Sequence, residues 1–211
     1  TGDNKAQLYT YNGGGRGTYN NLTSTKGLER WGGGGEVIVL NDFSCPGPYI
    51  GYWGGLIDVG GTATFGDSAT FDALFTASTL NFDGVGATYL LSASNTMTAN
   101  SMNIAGGSLT APTYIKSSSN GNIATIDVSS GDVCSDYLRI QEVSATGLAS
   151  YTAGPNSQDL GSSSGWTFAS LSDTTSDCNA PLISLIGNLL TVVELGTTYS
   201  DAGATAFDNY D

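Results

Sequence analysis

Histidine is absent from the 211 residues, which removes Ser-His-Asp and Cys-His catalysis and the usual zinc ligand sets. Lysine and arginine together number only 6 against 19 acids, a net charge of −13, and a surface for nucleic acid needs clustered positive charge. No apolar run approaches the roughly 20 residues that span a bilayer as a helix. Cys45, Cys134 and Cys178 have no close metal-ligand spacing. They allow one disulfide and one free thiol, with Cys45–Cys134 and Cys134–Cys178 both open, as in a secreted protein. The phosphate-cradling pattern GxxxxGK[ST] is missing, and "GGGRG" and "GGGG" lack the strand-to-helix setting that binds anions.

Glycine is abundant, at 30 residues, and serine, threonine and asparagine recur throughout. With 39% apolar residues, this composition favours many short strands joined by polar turns over amphipathic helices. The few charges are unevenly placed. Residues 1–30 hold Lys5, Arg16, Lys26 and Arg30 against Asp3 and Glu29, a balance of +2, while the remainder holds two cations against seventeen acids, a balance of −15. Residues 1–35 therefore read as an extended basic arm and glycine-rich hinge, suited to dock on the acidic body of a second copy.

Residues 36–168 read as an all-β body. "EVIVL" contains a short apolar run of buried-strand type, and from Leu56 to Trp166 strand-like pieces recur between Gly, Asn and Ser. Alternation is clear in Ile123–Val128. Within this body hairpin signals are confined to "DG" at 83 and "NG" at 120, which favours a short right-handed parallel β-solenoid over an antiparallel β-sandwich or jelly roll. Residues 169–180 form a polar linker. Residues 181–211 carry strand-forming stretches that cannot bury an apolar face alone, so further modules are expected to follow.

Residues 115–168 resemble the closing repeats of large bacterial surface proteins. The similarity rests on Asp136, Tyr137, Leu138, Ile140, Ala145, Gly147, Ala153, Gly154, Ser157 and the terminal Gly165, Trp166 and Phe168. It implies a last coil closed by an aromatic plug. The segment from Ala180 is similar to the opening of immunoglobulin-like modules of bacterial adhesins. Its matching residues are Ala180, Pro181, Ile183, Leu185, Gly187, Val193, Gly196, Tyr199, Asp201, Gly203, Ala204, Ala206 and Asp208. This second resemblance implies the first strands of an Ig-like sandwich.

Asp201, Asp208 and Asp211 are candidate calcium ligands, because surface modules tie successive domains together with oxygen donors. Candidate glycan acceptors are Asn21 in "NLT" and, by resemblance to a short Gram-negative O-glycosylation site, Ser68 in "DSA" and Thr174 in "DTT". Tyr49, Tyr52 and Trp53 form an aromatic patch that can stack on sugars. Asp136, Arg139 and Glu142, within seven residues in "DYLRIQE", have the residue types for carboxylate catalysis, and their spacing is also that of an ordinary solvated face. The expectation is a non-enzymatic extracellular subunit of a bacterial surface filament or adhesin, on the surface of a Gram-negative bacterium. It would assemble head to tail with itself through the arm, without a cofactor other than calcium or covalent glycans. A carbohydrate-binding or carbohydrate-processing module and a passive adhesin spacer are the alternatives, with surface polysaccharide as a second partner.

Overall fold

The computed structural model describes residues 6–9, 15–31, 34–51, 55–170, 178, 182–186, 196, 198 and 202–207. Among these there is no helix. The chain winds in successive coils, each crossing up to three faces. The first coil holds β1 (Ala6–Tyr9), β2 (Arg16–Tyr19) and β3 (Leu22–Thr23), and the second β4 (Leu28–Trp31), β5 (Glu36–Val39) and β6 (Phe43–Cys45). Next come β7 (Tyr49–Gly51) with β8 (Leu56–Phe65), β9 (Ala69–Phe71) with β10 (Leu74–Phe82), and β11 (Thr88–Leu91) with β12 (Thr96–Ile104). The sixth and seventh coils are β13 (Thr113–Ser117), β14 (Ala124–Val128), β15 (Asp132–Ser135), then β16 (Leu138–Gln141), β17 (Val143–Gly147), β18 (Ser150–Ala153). A shortened eighth turn holds β19 (Gln158–Asp159) and β20 (Thr167–Phe168).

Each strand pairs in parallel with its counterparts in adjacent coils, which makes a β-solenoid and excludes the antiparallel sandwich. One eight-stranded sheet runs from β1 through β4, β7, β9, β11, β13 and β16 to β19, and a nine-stranded sheet supplies the other walls. A three-stranded sheet, β15–β18–β20, continues the third wall beyond β12, against which β15 packs.

Alternation of side chains fixes what lies inside. The burial of β5, β14 and β16 alternates residue by residue, and equivalent positions stack into interior columns. One column is Val37, Ile57, Phe75, Met97, Ile126 and Ala145. Another is Leu28, Tyr49, Ala69, Tyr89, Ile115 and Ile140. No single coil could bury such positions by itself; stacking joins them into one core.

In coils three to five the corner between two walls is a bend within a strand. In β8 the bend falls at Gly60–Gly61, where an added Cβ would lie 2.4 Å from the Leu40 carbonyl at Gly60 and 2.7 Å from the Asn41 carbonyl at Gly61. The preceding coil sits too close for any side chain. The register shifts there, with Ala77 opposite Val59 but Thr79 opposite Thr62, and Ser78 Oγ bonds back to the Gly60 carbonyl at 2.7 Å.

The coil length follows from the register. It is 20 residues from Tyr49 to Ala69 and from Ala69 to Tyr89, then 26 to Ile115 and 25 to Ile140. In the first longer coil, part of the excess projects at the corner before β13, where Ser108 and Ala111 close a turn with reciprocal backbone bonds of 2.9 and 3.2 Å. Leu109 at its tip is exposed. Beyond the solenoid, β21 (Leu182–Leu185) and β22 (Ala204–Phe207) form one antiparallel pair.

Candidate functional site

Residues 16–31 are not an arm. They supply β2, β3 and β4, three strands of the first two coils. Arg16 is exposed and its Nε lies 3.1 Å from Glu36 Oε2 in the next coil, while Lys26 is exposed at a corner. Arg30 is fully buried. Its position in β4 points inward, and its ladder partner in the next coil is Gly51, which has no side chain to occupy the same space. The guanidinium Nη2 donates to the Gly35 carbonyl at 2.7 Å, and burial lowers its pKa. Lys5 lies outside the described residues.

Tyr49 of the aromatic patch also lies in the core. Tyr49 is 1% exposed, with ring centroids 5.3 Å from Phe65, 5.4 Å from Phe71 and 6.1 Å from Phe43, so it offers no face to a sugar. Desolvation drives its hydroxyl pKa up, opposed by the Arg30 charge. Tyr52 and Trp53 lie outside the described residues.

Asp136, Arg139 and Glu142 are each committed to holding a corner. Asp136 is buried and accepts bonds from the backbone N–H of Tyr137 (2.7 Å) and Asn156 (2.8 Å) and from Asn156 Nδ2 (2.7 Å). It thus pins the seventh coil's corner to the eighth. Arg139 Nη1 donates to the Leu138 and Asn156 carbonyls, at 3.0 and 2.9 Å. Glu142 Oε1 accepts the Gly121 N–H at 2.7 Å. The left-handed backbone of Tyr137 (φ 55°) and Glu142 (φ 56°) marks the same corners.

A disulfide joins Cys134 of β15 to Cys178, which settles the pairing, and Cys45 is a free, buried thiol. The Cys45 S–H donates to the Gly47 carbonyl at 3.2 Å, and burial pushes its pKa up to about 11. Of the candidate acceptors, Ser68 is half-buried and its Oγ accepts the Thr88 N–H at 3.0 Å. Asn21 is exposed, with Oδ1 accepting the Asp42 N–H at 3.2 Å. Thr174 and the three aspartates Asp201, Asp208 and Asp211 lie outside the described residues. Among the described residues, no cluster of three or more acidic or cysteine side chains is placed to hold a metal.

The outer walls carry ladders of short polar side chains. Asn103 Nδ2 donates to Asn81 Oδ1 at 2.9 Å, Thr79 and Ser101 hydroxyls lie 3.0 Å apart, and Thr146 Oγ1 donates to Asp127 Oδ2 at 2.8 Å. Along one edge the corners of three coils leave an open groove of about 590 Å³ lined by Asp72, Ser92, Asn95, Ser118 and Asn122. Partial burial raises the Asp72 pKa. These groups can exchange hydrogen bonds with a hydroxylated ligand.

The stack's two ends carry features that sequence patterning did not separate. At one end β1, β2 and β3 have described ladder partners on one side only, and Tyr19 and Leu22 are half-buried against the core. At the other, β19 and β20 likewise pair on one side, joined by a bridge from Ser144 to Ser164. Trp166 and Phe168 are half-buried there, and the Trp166 ring centroid lies 5.2 Å from that of Tyr151. Gly165 (φ 76°) lets the turn close, since a Cβ would fall 2.0 Å from the Ala145 carbonyl.

The architecture defines the class: an all-β protein whose body is a parallel β-solenoid of about seven turns. Comparison with protein-family models, with curated proteins and with solved structures finds no match to this chain.

Proposed function

We propose that this chain is a non-catalytic extracellular structural protein, a subunit of a Gram-negative bacterial surface filament or adhesin, whose copies join head to tail. The observation that carries the reading is the matched pair of ends. Among the described residues both ends show parallel ladders paired on one side around half-buried rings, and coil lengths near both ends are close to 20 residues. An end of this kind is a template for another strand layer, and joining unlike ends gives an open chain of subunits. The contact is assigned to the first coil, since Arg16, Lys26 and Arg30 belong to coils and not to a free arm. The disulfide supports an oxidising compartment.

Electron microscopy of native material tests the reading. Coils spaced by ~4.8 Å predict an axial repeat of roughly 35–40 Å for each solenoid body. Dispersed single bodies at high concentration, or filaments that persist when residues 1–23 are deleted, would overturn it. A second reading, surface-polysaccharide binding, is favoured by the polar groove around Asp72. It predicts retention on a polysaccharide column that Asp72→Ala and Asn122→Ala together abolish, with melting temperature unchanged.

A further inference from the structure

The solenoid finishes its last described parallel ladder at β20, in the eighth turn, yet Cys178, ten residues on, is bonded to Cys134 in β15, two coils back. Cys134 lies on the outward side of its strand: its neighbours Val133 and Ser135 are the buried positions, and Cys178 Sγ contacts the Thr152 carbonyl of β18. The covalent connection therefore returns from the eighth turn to the outward side of β15 in the sixth coil.

We infer that this disulfide is a mechanical clasp. Tension applied to the residues after Cys178 passes through the sulfur bridge directly into β15, and the intervening stretch, which contains β16 to β20, is left outside the path. Without the bridge the same tension enters at β20. That strand has a described ladder partner only in β18, so the closing turns would peel away one coil at a time. With it, tension enters a strand that pairs with β18 on one side and packs against β12 on the other. The reading as a surface filament supplies the source of such tension; the force route stands on the connectivity alone.

The test is single-molecule stretching of the whole chain, with one handle before Thr1 and one after Asp211, in oxidising buffer and again after adding a thiol reductant to the folded protein. The bridge encloses a sequence separation of 44 residues. At ~3.3–3.6 Å per extended residue, reduction should add roughly 150 Å to the total length released. The added length should appear as an event that the oxidised protein lacks, before the central coils open; peeling from β1, whose described ladder is also one-sided, is common to both buffers. The Cys134→Ser, Cys178→Ser double variant should reproduce the reduced traces without reductant. Equal lengths in both buffers would overturn the clasp. So would added length that appears only after the rest of the solenoid has opened, because the closing coils would then need no protection. Neither result depends on whether filaments form.

Discussion

Between Phe43 and Tyr89 the interior is a chain of rings; from Ile115 to Val143 it is aliphatic, and the same parallel ladder runs through both. In the first stretch Phe65 alone has its ring centroid 4.8–6.2 Å from those of Phe43, Tyr49, Phe71, Phe75 and Phe82. Phe82 and Tyr89 stack at 3.9 Å. In the second stretch smaller side chains fill the columns, the coils lengthen, the corners gain the Asp136 cluster, and strand β15 gains the disulfide. One fold is therefore stabilised in two ways. Where rings span the interior, corners stay short; where the core is aliphatic, polar locks fix the corners and a covalent bridge ties the third wall.

Four measurements sharpen that contrast. The largest effect is expected for Phe65→Ala, which removes the hub of the ring chain and should cost about 3–5 kcal/mol in chemical denaturation. Ile126→Ala, at a fully buried aliphatic position, should fall below it; equal losses would mean that the rings add nothing beyond their volume. Asp136→Ala comes next, at about 2–3 kcal/mol, because buried backbone N–H groups lose a charged acceptor. Hydrogen exchange should rise only at Tyr137 and Asn156 and in the coils beside them. Exchange that rises throughout the ring-filled half would show that the two stretches are not separate.

The third effect depends on pH. Burial pushes Cys45 from 9.0 to about 11, and Tyr89 and Tyr151 from 10.0 to about 12. Folding favours the protonated form in each case, so this stability is whole below about pH 9 and is lost as the pH rises through 11 and 12. Melting temperature should fall over that window, and Cys45→Ala should move the onset of the fall up towards pH 10. A flat profile would contradict the burial of these groups. The smallest change is expected for Arg16→Ala, which removes an ion pair whose side chains are 64% and 46% exposed and should shift stability by ~0.2–1 kcal/mol, less at high salt. A larger loss would make the first coil's edge more structured than its exposure implies.

The strand pieces and the parallel stacking were legible because each rests on local signals, namely alternation and turn residues. The first two coils were not. Their charges resemble those of a tail, and the inward place of Arg30 depends on Gly51 and on the Gly35 carbonyl, which only coil stacking brings near. Tyr49 misled for the same reason, since a ring among glycines and prolines looks exposed until its column is known. Cysteine spacing left two pairings open, and the answer required the chain to double back across two coils. The corner functions of Asp136 and Glu142 are likewise contacts between coils, made to residues 20 and 21 positions away, beyond the reach of any local pattern.

The turn closed by Ser108 and Ala111 has a practical use. Its base is tied off by its own backbone bonds while Leu109 at the tip is 80% exposed, so a short epitope inserted beside Leu109 would leave the ladder undisturbed. Because β13 lies off-centre along the stack, such an epitope would sit nearer one end than the other. If the proposed fibres form, an antibody fragment bound there would mark each copy off-centre and make the polarity of the fibre visible in a single image.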